Sequence, residues 1–261
     1  MPKIFKFYGQ LLRTSVIASM TLRAAFLIEL ALMIGNNLVY FSLWWIFFKQ
    51  FNDIAGWTLR DMYALMAIGM SAWGLMGICF GGLRYLSRQI VSGDLDPFMT
   101  QPKNLLIHLA GSKSLSKCWG YLITSAILVV MGGLTDVATL ALIVIGIILG
   151  ALVFTGFNIM AHSLAFWLGP IESVSKRYCD SLYLFVLYPP NIYSGVMQLI
   201  MFTFIPAGII GYIPVELIRH FSWLNLFILI ASSLFFFAIS FLVFHLGLKR
   251  YESGNRFGMR L

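Results

Sequence analysis

Charge is the first thing this chain is short of. Asp, Glu, Lys and Arg make up 11% of its 261 residues, against about 25% in ordinary soluble domains. That deficit excludes a soluble globular fold, because a water-facing surface cannot be covered with so few charges. Cysteine is scarce too. Cys79, Cys118 and Cys179 have neither paired nor metal-type spacing and read as small apolar residues. No His, Asp or Glu cluster has metal-ligand spacing, and no nucleophile stands at catalytic distance from a base, so neither a metal site nor a catalytic residue is expected. The phosphate-cradling pattern Gly-x4-Gly-Lys-Ser/Thr is missing. Gly111-Ser112-Lys113-Ser114 has the Lys and a Ser but not the preceding Gly or its spacing. The expectation is a non-enzyme that binds no cofactor of its own. Alternating ten-residue strands, the mark of a membrane barrel, are absent. Neither an internal repeat nor a cleavable signal peptide is expected.

What remains is apolar surface: 60% of the residues are hydrophobic and the mean hydropathy is +0.87. Several runs reach the roughly 20 residues that cross a bilayer as a helix. The expected fold is all-α, a polytopic membrane protein forming a single transmembrane domain. Residues 1–23 set Phe5, Tyr8, Leu11 and Leu12 against Lys3, Lys6, Arg13 and Arg23, an amphipathic helix lying in the interface plane. Six spans follow, at about 24–48, 62–83, 105–133, 137–168, 174–204 and 223–248. The second holds Gly77 and Gly81 and the fourth Gly146 and Gly150, two small-xxx-small pairs that let helices approach closely. The fifth is broken at Tyr188-Pro189-Pro190, since proline removes a backbone donor. Residues 205–221 are apolar, interrupted by Pro206 and Pro214, and too short to span. They read as a re-entrant segment, tolerated only where protein or a water-filled cavity covers it.

Six spans place both termini on one side. Of 18 Lys and Arg, only Lys49, Arg60 and Arg219 then fall on the opposite side, a strong positive-inside bias. The net charge of +8 therefore reports orientation and not nucleic-acid binding. Both termini and the 84–117 loop are expected in the cytosol, and residues 205–221 face outward.

The 84–117 loop is the longest polar interruption. It carries Gly93-Asp94-Leu95-Asp96-Pro97 and Gln101-Pro102. Further on come Tyr188-Pro189 with Tyr193, Ile205-Pro206 with Tyr212 and Pro214, and Arg250-Tyr251-Glu252-Ser253-Gly254-Asn255. In order and spacing these resemble the membrane subunits of ABC-2 type transporters, specifically a small bacterial permease family grouped with viologen-type exporters. The resemblance covers nearly the whole chain. It implies a permease of the bacterial inner membrane with an N-terminal interface helix, six spans, a cytosolic coupling region at 84–104 and outward re-entrant helices. Two permeases, identical or homologous, make the pore among membrane lipids. A separate ABC ATPase dimer, binding ATP-Mg, drives it.

On that reading Arg88, Asp94, Leu95, Asp96 and Phe98 are the ATPase-coupling candidates. Leu86, Ile90, Leu95 and Phe98 would insert into a groove of the ATPase, while Asp94 and Asp96 cap a turn or pair with its basic residues. Substrate-path candidates are Glu29, Asn36, Trp73, Tyr188 and Tyr193. Glu29 is an acid about one turn into the first span, where a carboxylate is costly and finds a partner such as Arg23 or Lys249, or faces a cavity. The aromatic residues could hold an organic cation over their rings. His162 and Asn158, one turn apart, read as helix–helix hydrogen-bonding groups. Pro206 and Pro214 are outer-gate candidates. The substrate is an amphipathic or cationic drug or a lipid. An ion-coupled secondary carrier is the alternative, though its usual repeats and midplane acids are not found.

Overall fold

The computed structural model describes residues 2–51, 53, 56–189, 192–193 and 195–251, and within them all side chains but those of residues 2–4 and 198. Pro190 and the tail from Glu252 onward, both used in the reading above, lie outside the described residues, as does the side chain of Lys3. Every regular element among the described residues is helical.

Helix α3 (Leu59–Cys79) is the centre of the molecule. Its most apolar stretch is 89% buried, against 11% for α2 (Arg23–Gln50) and 17% for α14 (Trp223–Leu248). A helix apolar on all sides is covered either by lipid or by other helices. Here the cover is α7 (Cys118–Met131) on one side and α8 (Val137–Ser163) on the other, with α2 outside α7 and α14 outside α8. Small residues permit the approach. A Cβ on Gly77 would meet the Cys118 Sγ, and one on Gly150 would lie 3.1 Å from Ala72 Cβ. Both small-xxx-small pairs thus fall at helix contacts. Polar caps fix the helix starts: Thr58 and Asp61 form a reciprocal capping box on α3, and Asp136 accepts from Thr139 N at 2.9 Å on α8.

Among the described residues four helices are long and apolar enough to cross a bilayer: Arg23–Gln50, Leu59–Cys79, Val137–Leu168 and Trp223–Leu248. The third of these includes α9 (Ala165–Leu168), joined to α8 through Leu164. The other expected spans are built differently. The stretch 105–133 divides into α6 (Leu105–Gly111) and α7, because residues 112–117 leave the helix and Leu115 N donates to Gly77 O at 3.1 Å. At 14 residues α7 is about 21 Å long, short of a full hydrocarbon thickness. The stretch 174–204 divides into α10 (Glu172–Val186) and α11 (Val196–Thr203), parted around Tyr188-Pro189. The run 62–83 ends early. Beyond Cys79 the chain tightens into a 3-10 helix at Gly81–Tyr85. Residues 205–221 form α12 (Ala207–Ile210) and α13 (Tyr212–Arg219), with Pro206 and Pro214 buried and Pro214 against Gly146. Arg219 holds α13 to the start of α3, donating to Gly56 O at 2.9 Å and lying 3.7 Å from Asp61.

The 3-10 helix exists because two glycines let it touch α6. A Cβ on Gly82 would fall 1.9 Å from the Leu109 carbonyl oxygen, and backbone has little room to yield. Gly82→Ala is expected to lower stability by about 3 kcal/mol, the range of overpacking at an unyielding site, and thermal unfolding in detergent should fall by several degrees. Gly35→Ala, with open space around its Cα, serves as the control and should leave the midpoint unchanged.

Candidate functional site

At one polar end of the bundle α2, α3, α7 and α10 part around a cavity of about 270 Å3. Its far wall is aromatic. Trp73 stacks on Tyr183 at 5.2 Å, and Tyr121 meets Tyr183 edge-on at 5.4 Å. Arg84 reaches in from the 3-10 helix. Its guanidinium lies 4.9 Å over the Trp73 ring and donates from Nη2 to Asp180 Oδ1 at 2.8 Å. Asn36, on the exposed face of α2, and Lys117, before α7, stand at the lip. The wall presents π-faces and one carboxylate, with a cation already seated on both. Such a surface accepts a flat or positively charged group face-on.

Each side chain is placed by a local feature. Asp180 sits on the polar side of amphipathic α10, whose Cys179, Leu182 and Val186 are buried. Trp73 is on the covered α3, and Arg84 gets its position from the turn at Gly81-Gly82. Asn36 and Trp73 are the two sequence candidates the fold brings together here. Tyr188 and Tyr193 lie elsewhere, with Phe185 and Tyr212 in a narrow crevice beside α12, where Tyr188 stays exposed. Glu29 is exposed on α2 and takes a hydrogen bond from Ser116 Oγ. Its partner is therefore a hydroxyl at the polar end, not Arg23 or Lys249, because the turn before α7 passes beside it. Arg84, Tyr121, Asp180 and Tyr183 were not singled out by sequence. Arg84 and Asp180 are 96 positions apart and each looks like an ordinary loop charge. The signal available was two opposite charges at the same end of two apolar runs.

Residues 84–117 form a small folded unit on this end. Helix α4 (Leu86–Ser92) turns at Gly93, whose φ of +75° suits glycine, into α5 (Asp96–Met99) and then α6. Leu86, Ile90 and Leu95 are buried against Leu106, Leu109, Ile159 and Phe244. The expectation that these apolar side chains insert into a partner is corrected: they are the unit's own core, because α4 packs on α8 and the short α9 after it, and α5 packs on α6. Phe98 is half-buried, edge-on to His108 at 4.8 Å. Burial, then Lys103, holds the His108 imidazole below its usual range, so it packs as a neutral ring. Asp96 accepts from Tyr251 Oη at 2.8 Å. Burial, then that carboxylate, raises the Tyr251 hydroxyl, which stays a donor. Arg88, Asp94, Pro97 and Met99 face outward.

A polar knot fastens this unit to the membrane helices. Ser87 Oγ lies 2.8 Å from His162 Nδ1 and 3.5 Å from Ser175 Oγ, linking α4, α8 and α10. His162 is thus a helix–helix hydrogen-bonding group. Asn158 instead donates to Phe154 O of its own helix at 2.8 Å.

A family model described as an ABC-2 family transporter protein matches residues 34–255. The chain belongs to that family. No curated protein matches it. The matched region of this ABC-2 family chain holds the whole cavity, the 84–117 unit and helices α12 and α13, and leaves out α1 (Pro2–Ser19) and Glu29. Membrane-crossing helices and family membership together make it a membrane protein of transport.

Proposed function

We propose that this chain is the permease subunit of an ATP-driven exporter in the bacterial inner membrane, with both termini in the cytosol and no catalytic chemistry of its own. The observation that carries the reading is the 84–117 unit. A loop with no partner has no need of its own core, a buried serine–histidine knot to two membrane helices and a hydrogen bond to the end of α14. Those ties suit a part that receives force on its exposed face and passes it to α8, α10 and α14 as a rigid body. Energy comes from a separate ABC ATPase dimer holding ATP-Mg, which docks on Arg88, Asp94, Pro97 and Met99. Asp96 and Leu95 hold the unit's shape, and Phe98 forms its edge.

In this reading α7 and the broken α10–α11 complete six crossings, and two permease copies, or this chain and a homologue, enclose the path. The substrate is an amphipathic cation that enters at the Trp73–Tyr183 wall, since Arg84 shows how a cation rests there. The proline-bearing α12–α13 pair is the outer gate, held by Arg219. ATPase activity in nanodiscs, with this chain and its partner ABC ATPase, tests the proposal against cationic drugs and lipids. Stimulation by cations supports it. Stimulation by lipids alone overturns the substrate, and transport driven by an ion gradient without ATP overturns the exporter.

A further inference from the structure

A second cavity, of about 310 Å3, opens at the same polar end between α1, α6, α8 and α14. Its wall includes Phe5 and Tyr8 of α1, Ile107 of α6, Ile159 of α8 and Phe237 and Phe241 of α14. The wall is dry by construction. Its two hydroxyls are both turned to backbone, Tyr8 Oη to Cys79 O at 2.6 Å and Thr155 Oγ1 to Ala151 O at 2.7 Å. Helix α1 docks mainly on α6, where Ser15 Oγ donates to Gly111 O at 2.5 Å and Tyr8 and Leu11 sit against the Gly111 Cα, and Tyr8 also reaches the end of α3. It therefore stands off from α14 and leaves a slot. Phe5, at the mouth, is 77% exposed. The rim is basic. Lys6 and Arg13 lie exposed one helical repeat apart on α1, and Lys103 Nζ lies 3.5 Å over Phe7. The acids of neighbouring α5 and its turn are engaged, Asp96 by Tyr251 and Asp94 by Ser92 at 2.5 Å.

An apolar slot between elements that carry exposed cations, on the side where positive residues gather, matches one chemistry. We propose that it holds an acyl chain of an anionic phospholipid of the cytosolic leaflet, with the phosphate over Lys6 and Lys103. A bound chain fills the gap between the interface helix and α14, so the lipid fixes the angle of α1. The site rests on the orientation given above, but binding in detergent reads the site whatever the orientation.

Native mass spectrometry of the full chain, delipidated and titrated with dioleoylphosphatidylglycerol or dioleoylphosphatidylcholine, tests this. Phosphatidylglycerol should bind preferentially, at one molecule per chain. Lys6→Gln and Lys103→Gln, both at exposed positions, should each weaken it about fivefold, the effect of one basic residue at an anionic surface, and leave phosphatidylcholine unchanged. Ala110→Phe, which fills the slot, and Phe5→Asp, at its exposed mouth, should weaken both lipids. Equal binding of the two lipids, indifferent to all four variants, overturns the site. Intact lipid binding by Ala110→Phe with a loss of dimer overturns it too, in favour of a second copy in the slot.

Discussion

Arg88→Glu combined with Met99→Asp is expected to release the partner ATPase while leaving the permease folded. Both side chains point away from the 84–117 unit, and Met99 is 47% exposed, so neither change touches its core. At a docking surface a reversed charge and a buried new carboxylate act on the few residues that carry binding, at about 2 kcal/mol or more each. Together the two should weaken the complex roughly a thousandfold, so that the ATPase is no longer recovered on the tagged permease, with the thermal midpoint in detergent unmoved. Leu95→Ala is the contrast. Leu95 is fully buried among Leu86, Leu106 and Leu109, so its truncation should cost about 2–5 kcal/mol and lower the midpoint first. Loss of partner in Leu95→Ala therefore comes with unfolding, and in the surface pair without it. Equal recovery of ATPase by the surface pair and the unaltered chain would mean the ATPase docks elsewhere.

That contrast also shows what could be read from the chain and what could not. Membrane-length apolar runs, the polar loop and the interruption at Tyr188-Pro189 are local properties, visible in composition and in proline's missing donor. The direction in which Leu86 and Leu95 point is not local. An amphipathic helix of seven residues such as α4 shows an apolar face but not whether that face meets its own chain or another. Here the ends of α8 and α14 supply the cover, through Ile159 and Phe244, and both are distant in sequence. The early end of α3 is similar. Gly81 and Gly82 look like ordinary membrane-helix glycines until α6 is packed on them. The cavity was half legible. Asn36 and Trp73 stood out as a polar and an aromatic group within apolar runs, whereas Arg84 and Asp180 become a site only once α3 and α10 are side by side. Tyr188 and Tyr193 stood out equally and line a separate crevice beside α12, since aromatic content alone does not say which wall a residue belongs to.

The second large effect expected is a gain. Arg84→Gln should make an organic cation bind the cavity more tightly, not less. In the chain as it stands the guanidinium occupies both features a cation would use, the Trp73 face at 4.9 Å and the Asp180 carboxylate at 2.8 Å. An arriving cation must displace it. The cation–π contact is worth about 1 kcal/mol, and the ion pair, with Asp180 half-exposed, adds at most about 1 kcal/mol more. Removing the competitor should therefore lower the half-saturating concentration roughly tenfold. Ethidium fluorescence titrated against the purified chain measures it directly, without the ATPase. Trp73→Ala and Asp180→Asn should move the other way, because each removes a feature the ligand needs. The glutamine also loosens the tie between the 3-10 helix and α10, so a general loss of structure would weaken binding and lower the thermal midpoint together. Tighter binding at an unchanged midpoint identifies Arg84 as a resident competitor. Weaker binding at an unchanged midpoint would overturn the competitor reading and make Arg84 a residue that holds the aromatic wall in its binding shape.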